Sequence, residues 1–188
     1  NFIIDNSICD EIVFNRVKEV IKYLSELNFK FVVMPLFGLS ELKTRKNNNF
    51  KHNINYLADY AKINKIYFLI ETNCSGQETL NFLLNLNNKN IGVVYDIGNA
   101  TLNGQNIEND FKILSSLISH IHIKDKNLAG DNVLLGDGIV DFSSFFKILK
   151  INKYVGSYTL ETSRGDNALA MATRNINFLK DYFFNYDK

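Results

Sequence analysis

Apolar runs of strand length alternate along the chain with longer stretches in which apolar residues recur at helical spacing, the sign of βα units and a parallel sheet. Behind Asp10 as N-cap, Val13, Val17, Val20, Ile21, Leu24 and Leu27 fall at i, i+4, i+7, i+8, i+11 and i+14, one face of a helix. Phe31-Val32-Val33-Met34-Pro35 predicts a strand ended by a proline, which has no N–H for the ladder. A helix over about 53–62 follows, through Ile54, Leu57, Ala58 and Ala61, and then a strand over 66–71. Ser75-Gly76-Gln77-Glu78 has the capping-box form ahead of Leu80, Phe82, Leu83, Leu84 and Leu86. Further strands are predicted over 91–96, 118–124 and about 157–161, with helices around 107–117, from the Asp141 cap through Phe142, Phe145, Phe146 and Leu149, and over about 167–183. A long loop, 125–140, carries Gly130, Gly136 and Gly138. Near-continuous apolar strands imply a sheet covered on both faces. A doubly wound sheet and a (β/α)8 barrel both fit this pattern.

Composition narrows the class. With 46% hydrophobic and 22% charged residues over 188 positions, the chain has the make-up of a folded domain. Lys and Arg total 21 against 20 Asp and Glu, and the resulting +1 supplies no basic field for nucleic acid. The longest apolar runs, such as 66–70, are too short to cross a bilayer, and no charged-then-apolar signal segment opens the chain. Cys9 and Cys74 cannot build a disulfide scaffold, so plain thiols in a reducing compartment, the cytoplasm, are expected. The tract Lys46-Asn47-Asn48-Asn49 reads as a solvated loop, and Asn1 in place of Met fits a processed or partial product.

The candidate chemistry lies where polar residues interrupt the strands. Glu71, Asp96, His122 and Glu161 each sit at or near the carboxyl end of a separate predicted strand. Parallel strands put those ends on one face, where α/β enzymes build their sites. Any one acidic residue closing a strand is commonly a helix N-cap; four polar residues in succession are not explained that way. Two glutamates, an aspartate and a histidine form a hard ligand set suited to Mn²⁺, Mg²⁺, Co²⁺ or Zn²⁺. Three carboxylates converging without a cation would repel one another. Strand alternation puts His120, His122 and Lys124 on one face and Ile121 and Ile123 on the other. His122 lies nearer the carboxyl end and is the better ligand; His120 reads as a satisfied core histidine and His52 as a surface residue.

Five segments together resemble the xylose-isomerase-like TIM-barrel superfamily: Tyr67-Phe68-Leu69-Ile70-Glu71, Val94-Tyr95-Asp96-Ile97-Gly98-Asn99, His120-Ile121-His122-Ile123-Lys124-Asp125, Leu135-Gly136-Asp137-Gly138-Ile139-Val140-Asp141-Phe142 and Gly156-Ser157-Tyr158-Thr159-Leu160-Glu161. Within it, the sugar phosphate isomerase/epimerase group, with ketopentulose-5-phosphate and ketose 3-epimerases, is the one resembled most. The resemblance spans roughly Val13 to the C-terminus. It implies a divalent metal held by Glu71, Asp96, His122 and Glu161 on the last four barrel strands, with Glu71 and Glu161 also exchanging a proton from opposite sides of the substrate carbon. Asn99, at the Asp-x-Gly-Asn position of phosphosugar-type relatives, is a substrate-contact candidate.

The resemblance implies an α/β chain that is a partial (β/α)8 TIM barrel, the C-terminal five βα units in a single incomplete domain over 1–188. Three βα units have no counterpart, residues 2–5 suit only a short extended piece, and a full barrel takes about 250 residues. Either the chain is a fragment, or a missing N-terminal segment or a homo-oligomer completes the barrel. The expected reaction is metal-assisted proton abstraction next to a carbonyl through an ene-diolate, on a small sugar or sugar phosphate. Lys124 either neutralises developing or phosphate charge or pairs with a neighbouring carboxylate. Arg164 and Ser163 either reach a phosphate or are solvated; the amides of Gly136-Asp137-Gly138 either face an anion or form a tight turn. Gln77 either contacts substrate or belongs to the capping segment. The alternatives are an inosose-dehydratase-like lyase on the same scaffold and a truncated barrel without catalytic activity. An endonuclease IV-like repair enzyme would need more histidine ligands than the three histidines here.

Overall fold

A computed structural model describes residues 11–37, 48–163 and 165–184. Cys9, the Asp10 cap, the piece at 2–5, Lys46, Asn47 and Arg164 lie outside the described residues. The elements run α1 (Glu11–Glu26), β1 (Phe31–Leu36), α2 (Asn48–Ile63), β2 (Tyr67–Thr72), α3 (Gly76–Leu86), β3 (Ile91–Asp96), α4 (Ile97–Leu102), α5 (Ile107–Leu114), β4 (Ile118–Ile123), β5 (Asp125–Lys126), β6 (Asn132–Val133), α6 (Phe142–Ile151), β7 (Ser157–Leu160) and α7 (Ala168–Phe184). The class is α/β, as the alternation predicts. Among the described residues, five strands form one sheet in the order β1-β2-β3-β4-β7. The pairs β1–β2, β2–β3 and β4–β7 run parallel. Contacts divide the chain into two compact units: the chain up to Val94 with Ser116–Ser119, and Tyr95–Ser115 with the chain from His120 onward.

In the first unit, the middle of β2 and residues 91–94 of β3 are buried throughout, as parallel strands covered on both faces require. Leu36, Ile54, Leu57, Phe68, Leu69 and Ile70 are fully buried. Such side chains contribute about 1.5–3 kcal/mol each to folding. The expected apolar face of α1 is only partly used: Ile21 is buried, whereas Val20 and Leu27 are 40% and 69% exposed. The contact with α2 also runs through Phe14, whose ring meets Tyr56 at 5.2 Å, and Leu27 lies beyond the last residue of α1. β1 does not end at Pro35 but continues to Leu36. Pro35 is exposed on the strand that ends the sheet order, where a missing N–H is tolerated. α2 starts at Asn48, earlier than predicted, and its first turn buries Phe50, whose ring centroid lies 6.3 Å from that of Phe82. The Ser75–Glu78 capping box forms as expected. His52 is exposed, and Cys74 is buried and in no disulfide.

In the second unit, α6 buries Phe142, Phe145, Phe146 and Leu149, the four residues its spacing predicts. Phe146 stacks on Tyr182 of α7 at 4.8 Å, and Phe142 meets Phe178 edge-on at 5.2 Å. Tyr95 donates its hydroxyl to Asp110 at 3.0 Å, and burial together with that carboxylate pushes the phenol's pKa up. The short α4 follows β3 directly and is not visible in the periodicity. The predicted loop 125–140 contains an antiparallel hairpin, β5 with β6. No helix among the described residues is long and apolar enough to cross a membrane.

Candidate functional site

The site of the second unit grows from the carboxyl ends of its strands. Asp96 ends β3 and caps α4, its Oδ1 accepting the Asn99 amide at 2.8 Å. That bond fixes the carboxylate and turns Oδ2 towards β4. On β4 the alternation places His120, His122 and Lys124 on one face, as predicted. Register carries that face on to β7, with His120 beside Ser157 and His122 beside Thr159. The Glu161 amide donates to the Ile123 carbonyl at 3.0 Å, extending the register by one step.

His122 Nδ1 lies 3.0 Å from Glu161 Oε2 and 3.8 Å from Asp96 Oδ2. Lys124 Nζ lies 2.7 Å from Asp96 Oδ2 and 2.9 Å from Glu161 Oε2. The imidazole and the ammonium therefore share the same two oxygens. His122 and then Lys124 hold the Glu161 carboxyl down at about 2, although burial works the other way. Burial alone would push the Lys124 ammonium down, but Asp96 and Glu161 outweigh it and raise its pKa.

His120 is a satisfied core histidine, as its position predicts. Its Nδ1 pairs with Ser157 Oγ at 2.7 Å and its Nε2 with Thr159 Oγ1 at 2.9 Å, so both ring nitrogens are committed. Glu71, in the first unit, is 5% exposed near the end of β2, in register with Val94 and Pro35. Gln77 is an exposed helix residue bonded to Asn81 at 3.0 Å. Ser163, with Leu160, Thr162, Ala168 and Ala172, lines a hollow of about 310 Å³.

The Gly136 and Gly138 amides face an anion, the chain's own, while the Asp137 amide closes the tight turn by donating to the Leu134 carbonyl at 3.0 Å. Asp125 Oδ2 accepts from Gly136 and Gly138, each at 2.9 Å, while Oδ1 accepts from Val140 at 3.1 Å and Lys126 at 2.9 Å. Asp137 instead takes both its oxygens to Arg174 of α7, each at 2.8 Å. Sequence reasoning missed Asp125; the only signal was an acidic residue directly after a polar strand face and before a glycine-rich loop. It also missed Gly98, where a Cβ would run into the aliphatic stem of Lys124.

Asp96, His122 and Glu161 each offer one ligand atom, mutually within 4.8 Å. Ions such as Mn²⁺ or Zn²⁺ bind oxygen and nitrogen at about 2.0–2.2 Å, so neighbouring ligands stand about 3 Å apart. The 3.0 and 3.8 Å separations from His122 suit that spacing with small side-chain adjustment. The donor chemistry and the geometry both fit a divalent ion.

A profile of the xylose isomerase-like TIM barrel family matches residues 2–182. The chain belongs to this family. An inosose dehydratase of Clostridium botulinum is 25% identical over 174 residues, covering 78% of this chain and 58% of that protein. The L-ribulose-5-phosphate 3-epimerase UlaE of Salmonella paratyphi A is 30% identical over 106 residues, covering 56% of this chain and 34% of its own. This chain thus spans less than two thirds of either curated relative. A solved structure of the IolI protein with a zinc atom superposes with a TM-score of 0.75 at 18% identity, covering 94% of this chain and 72% of that one. Epimerases and dehydratases therefore both stand among the members of the family that this chain resembles.

Proposed function

We propose that this chain carries the metal-binding and proton-transfer groups of a sugar or sugar-phosphate epimerase or isomerase that depends on a divalent cation. The observation that carries the reading is the meeting of Asp96 Oδ2, His122 Nδ1 and Glu161 Oε2 around the carboxyl ends of β3, β4 and β7. Glu71 is the proposed fourth ligand. It is 5% exposed near the carboxyl end of β2, and carboxylate oxygen suits the same hard cations. The zinc in the IolI structure supports a divalent ion in this family. Mn²⁺, Mg²⁺, Co²⁺ and Zn²⁺ all suit the donors.

A bound cation would polarise the substrate carbonyl and stabilise charge that develops on its oxygen. The chain's own residues then divide the remaining work. Epimerisation removes a proton from one face of a carbon and returns one to the other, so it needs two acid–base groups. Glu71 and Glu161 are assigned to those roles. Asp96 and His122 mainly hold the ion, and Lys124 balances the carboxylates it touches. Asn99 and Arg164 are the proposed substrate contacts.

The test is titration with each of the four cations, followed by incubation with ketopentoses and their 5-phosphates in deuterated water. One saturable site, weakened in Glu71→Gln and His122→Gln, and substrate deuteration lost in folded Glu161→Gln are expected. Absence of divalent binding would overturn the reading. The dehydratase similarity favours a second reading, a lyase on the same site. Net loss of water from an inosose, without epimer formation from any ketose, would select it.

A further inference from the structure

Lys124 is the one cationic side chain in direct contact with both Asp96 Oδ2 and Glu161 Oε2, apart from the histidine assigned as a ligand, among the described residues. These are the oxygens that the proposed cation would take. The lysine is not a surface group that strays over the site. It is 5% exposed, and its stem lies across Gly98, in the first turn of the helix that Asp96 caps. A side chain at Gly98 would occupy the place of that stem, so the seat exists only because the residue is glycine. Asp96 is held from its other oxygen by the Asn99 amide, which keeps Oδ2 aimed at the ammonium.

An ammonium and a divalent ion cannot both sit at full strength on the same pair of oxygens. Asp96 is buried and Glu161 is half exposed; two carboxylates this close repel each other without a cation, and a lysine between them relieves that repulsion. We propose that Lys124 is an internal counter-cation that competes with the metal for Asp96 and Glu161, so that metal loading displaces the ammonium and Lys124 sets how tightly the site binds. The inference rests on the metal reading above and adds to it a residue that tunes affinity. It identifies Lys124 as a positioning residue, not as a ligand or a substrate contact.

Calorimetric titration of Mn²⁺ into the full chain and into Lys124→Met separates the cases. Losing one charge-assisted contact in competition corresponds to roughly a tenfold change in binding, so the variant should bind Mn²⁺ at least about tenfold more tightly. Its melting temperature after chelator treatment should fall, and the rise on adding Mn²⁺ should exceed that of the natural chain. Equal or weaker binding by Lys124→Met, with Mn²⁺ still binding the natural chain, overturns the competition but leaves the metal site standing. No binding by either chain overturns the metal reading itself. A fixed repulsive charge would also weaken binding, so a second measurement uses the natural chain. The slowly exchanging Lys124 ammonium signal in ¹⁵N NMR should disappear or move on adding diamagnetic Zn²⁺. A signal unchanged at saturating Zn²⁺ shows an ammonium that stays on its carboxylates and overturns displacement, even where Lys124→Met fails to fold.

Discussion

Asp125 and Gly138 are joined by an amide-to-carboxylate bond of 2.9 Å, at a point where the loop backbone comes so close that a Cβ on residue 138 would strike the carboxylate. Asp125 is fully buried and collects amides from Lys126, Gly136, Gly138 and Val140. It directly follows Lys124, so the turn that it organises fixes the chain just beyond the site. Asp125→Ala leaves these donors without their acceptor, at about 1–3 kcal/mol for each group that water cannot reach. A loss of about 3 kcal/mol or more is expected in urea denaturation, with Asp125→Asn recovering only part because its amide adds donors among donors. A loss below about 1 kcal/mol would show that solvent replaces the carboxylate.

Gly98 makes a second, independent case for close approach. Gly98→Ala places a methyl group where the Lys124 stem runs, and overpacking of this kind costs about 1–3 kcal/mol. Alanine is otherwise the better helix former, so propensity alone predicts the opposite sign. Thermal unfolding of the variant checks the direction: a lowered midpoint is expected, and a raised one would show that the stem simply moves aside.

Much of this arrangement was legible in the chain because strands announce themselves as apolar runs. β3 matches its expected span, and β2 and β7 are displaced by no more than a residue, since their interruptions are the polar residues that define the site. The His120–His122–Lys124 alternation identified one polar face and distinguished a core histidine from a ligand candidate. What stayed hidden depends on backbone geometry. Asp125 finds partners 11 to 15 residues away through main-chain amides, which leave no side-chain signature. α4 is only six residues long and begins where a strand ends, too short for periodicity to register. The start of α2 was masked by asparagines whose polarity suggested a loop, although Phe50 anchors that turn. Lys124 was legible as a charge but not as a choice between substrate and carboxylate, because that depends on the space Gly98 leaves.

The two histidines of β4 should respond to substitution in opposite ways. His120→Phe keeps the ring and loses bonds to Ser157 and Thr159, each worth about 1 kcal/mol. Stability should drop by about 2 kcal/mol while Mn²⁺ binding is retained. His122→Gln should leave the fold nearly as stable, since His122 is less buried, and should weaken Mn²⁺ binding severely. Equal loss of metal affinity in both variants would mean that the β4 face responds as one unit and that His120 contributes to the ligand set.

Asp141 supplies the pH-dependent case. Its carboxylate caps α6, accepting the Ser144 hydroxyl at 2.6 Å and the Ser144 amide at 3.0 Å. Those bonds, the hydroxyl foremost, hold its pKa below the ordinary value of 3.8. A carboxyl whose folded pKa lies below its unfolded one stabilises the fold above the unfolded value and loses that contribution as pH falls through the folded value. Asp141→Ala should therefore cost about 1 kcal/mol at pH 7, the usual worth of an N-cap. That cost should begin to shrink as pH drops below about 4, where the unfolded chain takes up its proton, and should vanish as pH falls through the lower folded value, where the natural carboxyl is protonated and can no longer accept through both oxygens. Asp141→Asn keeps an acceptor for the Ser144 amide without the charge, so it should recover most of the stability at pH 7 and show a flatter profile below pH 4 than the natural chain. Parallel profiles for the natural chain and Asp141→Asn would mean that the charge at this cap contributes nothing and that α6 is held by its phenylalanines alone.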